Sequence, residues 1–264
     1  LAKNYNGYKN LIKLVSNSWV DGYYMRPRTD RADLEKYHED LIVCSACIAG
    51  EVPAKILKGD IAGAREACEW YHNLFGDDYY LELQRHKVPD DPSLLANREA
   101  YELQQKANKV LIEFSKEYGI KLVCTNDCHF EDKETAEAHD HLLCIATGKD
   151  LDDPNRMRYS KQEWFKTRQE MNDVFSDIPE ALSNTLEVLD KVEIYSIDHG
   201  PIMPFFPIPE SFGTEEQLRQ RVSEQDLYKE FTSDENGENQ LPPEEGQKVI
   251  DRLGGYDKIY RIKF

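Results

Sequence analysis

The stretch Ile120-Lys-Leu-Val-Cys-Thr-Asn-Asp127-Cys-His129-Phe130 decides how the fold of this chain is interpreted. Its first half is a short apolar strand, which runs directly into an Asn-Asp-x-His loop. In α/β folds, catalytic and metal-binding groups gather at the carboxyl ends of strands. Asp127 and His129 stand two residues apart, so an extended backbone can turn both side chains toward one ion. A carboxylate and an imidazole suit Zn²⁺, Mn²⁺ or iron, and we predict a metal site here.

A second interpretation of this loop needs no metal. In it, Asp127 caps the next helix and His129 only packs. A further pair of candidates follows the strand at 79–83, where Glu82 and His86 lie on one side of an extended segment. Glu82 and His86 either line the predicted site or make structural pairs, because a charged Glu inside a fold needs a cation or another partner.

The apolar patterns around this loop predict an α/β fold with parallel strands, because strands and helices alternate along the chain. Predicted strands are 41–47, 79–83 and 120–125, and predicted helices are 6–20, 50–57, 61–75, 92–119, 133–147, 178–192 and 214–229. The prolines at 201–209 predict an extended segment. Residues 226–247 carry many acids and few apolar side chains, which is typical of a solvated or disordered insert. Two regions are therefore expected, 1–200 and 201–264.

Composition narrows the class of protein. The chain has 264 residues and a net charge of −17, which disfavours nucleic-acid binding through its overall field, although a local basic groove remains compatible with it. No apolar run reaches the length that spans a bilayer, so no membrane partner is expected. The six cysteines are too sparse for a disulfide framework, and we expect a reducing, cytoplasmic setting.

The cysteine and histidine pairs offer several alternatives. Cys44 and Cys47 are buried thiols, a redox pair or, for one of them, a metal ligand. Together with Cys124 and Cys128 they also have spacings that a four-thiolate zinc site tolerates, although strand alternation turns Cys124 away from the loop. In His139-Asp-His141 the two imidazoles do not share a helical face, so we expect His139 to contact a neighbour and His141 to lie on the surface.

Five strings in this order resemble the N-terminal PHP (polymerase and histidinol phosphatase) domain of the bacterial DNA polymerase III alpha family, the replicative C-family polymerases. The resemblance covers about residues 4–230 and rests on these strings: Asn6-Gly-Tyr-Lys-Asn-Leu-Ile-Lys-Leu-Val-Ser16, Ser45-Ala-Cys47-Ile-Ala-Gly50-Glu51, Tyr80-Leu-Glu-Leu-Gln-Arg85-His86, Thr125-Asn-Asp127-Cys-His129-Phe130, and Phe175-x-Asp-Ile-Pro-Glu-Ala-Leu-x-Asn-Thr185.

The resemblance implies a distorted (β/α)₇ barrel with a divalent metal (Zn, Mn or Mg) at the strand ends. Its later metal ligands map onto Cys47, Asp127 and His129. The family opens with a His-x-His strand and further ligands, and these are absent from this chain. We therefore expect a partial PHP barrel that lacks its first strands, with residues 1–200 as its C-terminal portion and 201–264 as a linker and the start of the polymerase core.

The resemblance also implies the function of the longer protein: DNA-directed DNA synthesis on DNA and deoxynucleotides through a polymerase core, with other replisome subunits as partners. Its PHP portion either hydrolyses phosphoesters, as a 3′→5′ exonuclease, or supports the polymerase. We expect the fragment itself to be inactive, to hold no metal and to dimerise through an open sheet edge. The alternatives are a free-standing PHP phosphoesterase and a non-enzymatic replisome scaffold.

Overall fold

In the computed structural model, residues Leu1–Asp198 form one structural unit and His199–Phe264 form a second. The structure describes residues 1–89, 98–201, 211, 213–234, 237 and 239–263. The division between the units falls close to the expected boundary after residue 200. Within the described ranges, no helix combines the length and the apolar character that crossing a bilayer requires.

Three parallel strands form the sheet of the first unit: β1 (Val43–Cys44), β2 (Tyr79–Gln84) and β3 (Leu122–Thr125). Their order is β1-β2-β3, with β2 in the centre. Both faces of β2 are covered, which explains its nearly continuous apolar sequence. The predicted α/β class with parallel strands is confirmed, while the sheet in the described residues has three strands rather than the seven of a complete barrel.

Eight helices lie in the described part of the first unit. They are α1 (Tyr5–Val20), α2 (Arg31–Tyr37), α3 (Glu51–Leu57), α4 (Ile61–Phe75), α5 (Glu99–Tyr118), α6 (Ala136–Thr147), α7 (Arg168–Val174) and α8 (Pro179–Asp190). The sequence did not reveal α2 and α7, which are short. The predicted start of the long helix at Pro92 lies outside the described residues.

Two apolar clusters cover the sheet. Leu81 and Leu83 belong to the main core, which also contains Leu111 and Phe114 of α5. On the other face, Tyr80 lies in a smaller cluster with Val123 of β3, and Val188 and Val192 pack against it. The strands are therefore held between helices, and their carboxyl ends present polar side chains at one end of this layered core.

The outer edge of β1 differs from the open edge that we expected. Leu1 and Ile42 exchange two backbone hydrogen bonds, with N···O distances of 2.8 and 2.9 Å. Lys3 adds a third, from its backbone N–H to the carbonyl of Asp40 at 2.9 Å. The first residues thus occupy backbone groups that an edge-to-edge dimer would use, and dimerisation through this edge stays a prediction.

The second unit contains four helices: α9 (Glu215–Arg221), α10 (Glu224–Thr232), α11 (Pro243–Leu253) and α12 (Tyr256–Lys263). Leu227, Ile250 and Ile259 are almost fully buried together. The disordered alternative for the insert at 226–247 is therefore wrong at both ends, because α10 contributes Leu227 to this cluster and residues 243–247 form the first turns of α11, which contributes Ile250. The predicted extended segment at 201–209 lies almost entirely outside the described residues.

Candidate functional site

The loop after β3 brings together two of the residues predicted from the sequence. The Oδ1 atom of Asp127 lies 3.4 Å from Nε2 of His129, and the side chains are 45% and 34% exposed. Asp127 has a backbone φ of 47°, which is the left-handed region that costs a non-glycine residue about 1–2 kcal/mol. Such a conformation persists only where neighbouring contacts impose it, so the surroundings of this loop are informative.

The segment Ser160–Trp164, here called the clamp segment, holds the loop on both sides of Asp127. Asn126 is buried, and its Nδ2 donates hydrogen bonds to the carbonyls of Gln162 at 3.0 Å and Trp164 at 2.7 Å. The backbone N–H of His129 donates to the carbonyl of Glu163 at 2.7 Å. The strained residue therefore lies between two anchored neighbours.

Glu163 shapes the clamp segment from within. Its side chain is 2% exposed, and its carboxylate accepts hydrogen bonds from the Ser160 N–H at 3.1 Å, the Ser160 hydroxyl at 2.5 Å and the Gln162 N–H at 2.8 Å. A buried carboxylate requires such donors. The sequence carried a signal for this arrangement, because Ser160-x-x-Glu163 has the spacing of a capping box.

His86 lies behind the loop. Its Nε2 is 3.0 Å from the carbonyl of Asn126, and its side chain is 3% exposed. The side-chain oxygen of Gln104 accepts from the His86 backbone N–H, so the Gln104 amide NH₂ faces Nδ1, at 2.9 Å. These contacts indicate a neutral ring with the proton on Nε2. Burial lowers the pKa of His86, which also favours the neutral form. Nε2 thus supports the loop, while Nδ1 faces Gln104 of α5 and lies 3.5 Å from Oε1 of Glu163.

Glu82 and Cys47 form a second group at the neighbouring strand ends. Oε1 of Glu82 accepts from the Thr125 hydroxyl at 2.5 Å and from the Gln84 side chain at 3.4 Å. Cys47, Glu82 and Gln84 line one small cavity of about 10 Å³, which is close to the least volume that holds a water. Glu82 is therefore paired with neutral side chains, while Arg85 makes an ion pair with Asp177.

Tyr159 packs beside the Asp127–His129 pair. Its ring centroid is 4.5 Å from that of His129. Burial raises the pKa of the Tyr159 phenol, and the charges of Asp127 and Cys47 add to this shift. Cys47 thus lies within electrostatic range of the same side chain as the Asp127–His129 pair.

The side chains of these two groups are of the types that bind divalent ions, namely carboxylate, imidazole and thiol. In number they fall short: across the described ranges, no three His, Cys, Asp or Glu side chains stand close enough together to hold an ion. The structure brings Asp127 to His129 and Cys47 to Glu82, as two pairs. The metal assignment of Cys47, Asp127 and His129 stays a prediction.

The structure also shows the surroundings of the other cysteines and histidines that were considered as metal ligands or as a redox pair. Burial raises the pKa of Cys44 and of Cys124 to about 11 each, and Cys124 packs in the main core. Cys128 is exposed. His139 contacts the His129 ring at 5.8 Å between centroids, whereas His141 lies on the surface, as its position in the helix indicated.

Lys166 follows the clamp segment and covers it. Its Nζ donates to the carbonyl of Gln162 and lies 3.4 Å from the centroid of the Trp164 ring. Burial lowers the pKa of Lys166 to about 8, and the nearby Glu163 carboxylate opposes that shift. The indole of Trp164 is 9% exposed. The clamp segment is therefore shielded from solvent on this side.

Comparison with known proteins identifies relatives for most of the chain. The PHP domain model matches residues 1–86. DNA polymerase III subunit alpha of Borreliella burgdorferi is 40% identical over 238 residues, which is 88% of this chain and 20% of that protein. The Treponema pallidum subunit is 34% identical over 233 residues, 88% of this chain and 19% of that protein. The Campylobacter jejuni subunit is 38% identical over 229 residues, 82% of this chain and 18% of that protein.

The PHP match ends at the residue where His86 stands, ahead of the Asp127–His129 loop, whereas the relatives cover most of the chain. The chain spans about a fifth of the length of the curated relatives it matches. The resemblance found in the sequence strings is confirmed: this chain contains a PHP domain match and is a relative, over that fifth, of the bacterial DNA polymerase III alpha subunits.

Proposed function

We propose that this chain is the PHP-containing part of a replicative DNA polymerase and that the whole protein carries out DNA-directed DNA synthesis. The observation that carries this proposal is the 40% identity across 88% of the chain to a polymerase alpha subunit. DNA, deoxynucleotides and other replisome subunits are then its partners, in the cytoplasm. Residues 201–264 lead toward the polymerase core, and the 264 residues alone perform no polymerisation.

Within that protein, we infer that the first unit contributes to a distorted (β/α)₇ barrel whose strand ends bind Zn²⁺, Mn²⁺ or Mg²⁺. Asp127, His129 and Cys47 would hold the ion, which when bound supplies an activated water for phosphoester hydrolysis. The 34–45% exposure of the Asp127–His129 pair supports this, because a substrate can reach it.

A metal titration tests this inference on the full-length alpha subunit that contains this chain. We expect Asp127→Ala, His129→Ala and Cys47→Ala each to weaken Zn²⁺ or Mn²⁺ binding at least tenfold in calorimetry and to remove 3′→5′ exonuclease activity. His141→Ala and Asp150→Ala are matched controls, since both residues are exposed and lie outside the two pairs. Equal affinity in the wild type and all five variants would contradict a metal role for these residues.

Structural support is the second candidate role, and the shortage of donors within the described residues favours it. In that case the subunit binds no divalent ion at this site, and the same variants leave primer extension by the full-length protein unchanged. Loss of primer extension after Leu83→Asp, which disrupts the main core, would show that the polymerase needs the folded unit. A free-standing phosphoesterase is disfavoured by the relatives, which are more than four times as long as this chain.

A further inference from the structure

The strained Asp127 poses a physical question that the metal proposal does not answer. A left-handed Asp needs outside contacts to hold it, and its own side chain reaches His129 at 3.4 Å, which is too long for a strong hydrogen bond. The conformation must therefore be imposed through the backbone and through adjacent residues. Asn126 and His129 carry those contacts.

Three of these contacts end on consecutive backbone carbonyls of the clamp segment, while the Asn126 carbonyl faces Nε2 of His86 at 3.0 Å. Asn126 reaches the carbonyls of Gln162 and Trp164, and His129 reaches the carbonyl of Glu163 between them. Three consecutive carbonyls can point at one loop only if the segment that carries them has a defined, non-helical shape. The carboxylate of Glu163 provides that shape, because it is bonded back to the N–H groups of Ser160 and Gln162.

We propose that Glu163 is a positioning residue for the Asp127–His129 pair: its buried carboxylate folds the clamp segment so that the carbonyls of residues 162–164 hold the loop in its strained form. Glu163 does not itself act as a ligand, since its oxygens are bonded within the segment and Oε1 lies 3.5 Å from Nδ1 of His86. This inference rests on the proposed function only for the role of the Asp127–His129 pair in metal binding. The positioning itself concerns the loop with or without an ion.

The variant Glu163→Gln tests the carboxylate with little change of volume. Its amide NH₂ would face the N–H or hydroxyl donors of Ser160 and Gln162, so one of the three hydrogen bonds becomes a contact between two donors. We expect the amide of His129 to exchange its hydrogen at least about tenfold faster, because its acceptor is the Glu163 carbonyl. Amides of β2 and β3 should keep their wild-type exchange rates, which separates positioning from general destabilisation.

Two further variants keep the test decisive if Glu163→Gln folds poorly. Ser160→Ala removes the hydroxyl, which donates to Glu163 and accepts from the Gln162 N–H, but it retains the charge of Glu163, and we expect a smaller increase of exchange at His129. Glu131→Gln is the matched control, because it neutralises an exposed carboxylate close to the same loop. An unchanged His129 amide in both Glu163→Gln and Ser160→Ala would overturn the proposal.

Binding of Zn²⁺ to the full-length protein distinguishes the two proposals. Residues that orient metal ligands typically change affinity by about 10- to 100-fold, and we expect such a loss in Glu163→Gln. If the wild type binds no Zn²⁺ while the loop still loosens in Glu163→Gln, positioning holds and the metal proposal fails. If the wild type binds Zn²⁺ and Glu163→Gln binds it equally with an unchanged loop, positioning alone fails.

Discussion

The turns that follow β1 and β3 are held in place by different contacts. Each strand is followed by a residue in the left-handed region, Ala46 with φ of 60° and Asp127 with φ of 47°. After β1 the turn is held within its own string, where the Gly50 N–H donates to the carbonyl of Cys47 at 2.8 Å, and by the adjacent strand β2, where the Glu82 N–H donates to the Ser45 hydroxyl at 2.9 Å. After β3 the loop is held by the clamp segment, more than thirty residues later in the chain.

The difference shows which part of the sequence determines the position of each site residue. The position of Cys47 depends on a short string and on the adjacent strand β2, which comes later in the chain but is a regular element of the sheet. The position of Asp127 and His129 depends on a segment that is distant in sequence and joined to the loop mainly by polar contacts. We therefore expect the two ends to respond differently to mutation, and four predictions test this.

The largest effect is expected for Asn126→Asp. The carboxylate would face two backbone carbonyls in a buried position where the amide now donates, and we expect a loss of about 3 kcal/mol in the free energy of unfolding. Urea unfolding followed by circular dichroism measures this. The control Asn172→Asp, at an exposed position of α7, should change stability little. Equal losses in the two variants would mean that the clamp contributes no stability.

The second prediction concerns the β1 end. An added Cβ at Gly50 would lie 2.1 Å from the carbonyl oxygen of Ser45, so the turn must move. We expect Gly50→Ala to cost about 2 kcal/mol, as overpacking of a rigid site does. Gly59→Ala is a contrasting variant, because a Cβ at Gly59 meets no atom within 4 Å and its cost comes from its positive φ alone. Hydrogen exchange in Gly50→Ala should rise at 46–50 and stay unchanged at 127–130, and the reverse pattern would contradict local control.

The third prediction uses pH. The ion pair between Lys121 and Glu187 holds α8 beside β3, whereas the loop after β3 is held mainly by uncharged hydrogen bonds. Lys121, followed by Tyr80 and Lys191, lowers the pKa of Glu187 to about 2. The folded-state pKa lies below that of the unfolded chain, so the stabilisation is present above about pH 4.5 and is lost as pH falls toward 2.

After allowance for solvent screening, we expect Glu187→Gln to lose about 1 kcal/mol at pH 6. The difference between this variant and the wild type should shrink steadily below pH 4.5 in urea titrations. Glu180→Gln, an exposed residue of the same helix, is the control. A difference that grows on acidification would show that the Glu187 contacts are not ionic.

The smallest effects are expected for Ala46→Gly and Asp127→Gly. Relief of the left-handed strain outweighs the backbone entropy of glycine, and each variant should gain about 0.5 kcal/mol. Ala146→Gly within α6 is the control and should lose stability, because its backbone is helical. Thermal melting of the three variants checks the signs. A loss in Asp127→Gly comparable to that of Ala146→Gly would mean that Asp127 makes stabilising contacts that offset its strain.

The parts of the fold that could be predicted from the sequence are those determined by residues close together in the chain. The strand 120–125 and the loop after it were recognisable because an apolar run ends in polar side chains of fixed spacing. The short strand at 41–47 was overestimated, since only Val43–Cys44 make regular pairing. Leu227 in an acidic stretch was misjudged, because composition does not show that one apolar residue will meet Ile250 and Ile259.

The clamp segment was missed for a different physical reason. Ser160-x-x-Glu163 and Thr167-x-x-Glu170 are two copies of one pattern, and only the second begins a helix, α7. In the first copy, the hydrogen bonds of the Glu163 carboxylate resemble those of a cap, but the following backbone turns toward Asn126 and His129. Pattern alone cannot distinguish these outcomes, because the choice is made by tertiary contacts with a loop far away in the chain.

Trp164 gives this arrangement an optical signature. Its indole is shielded, whereas that of Trp19 is 59% exposed and that of Trp70 is half-buried. Replacing Trp19 and Trp70 by Phe would leave a single emitter whose own carbonyl is bonded to Asn126. A red shift of that emission would then report release of the loop in real time, so that stopped-flow fluorescence could follow how quickly the strand end assembles during refolding.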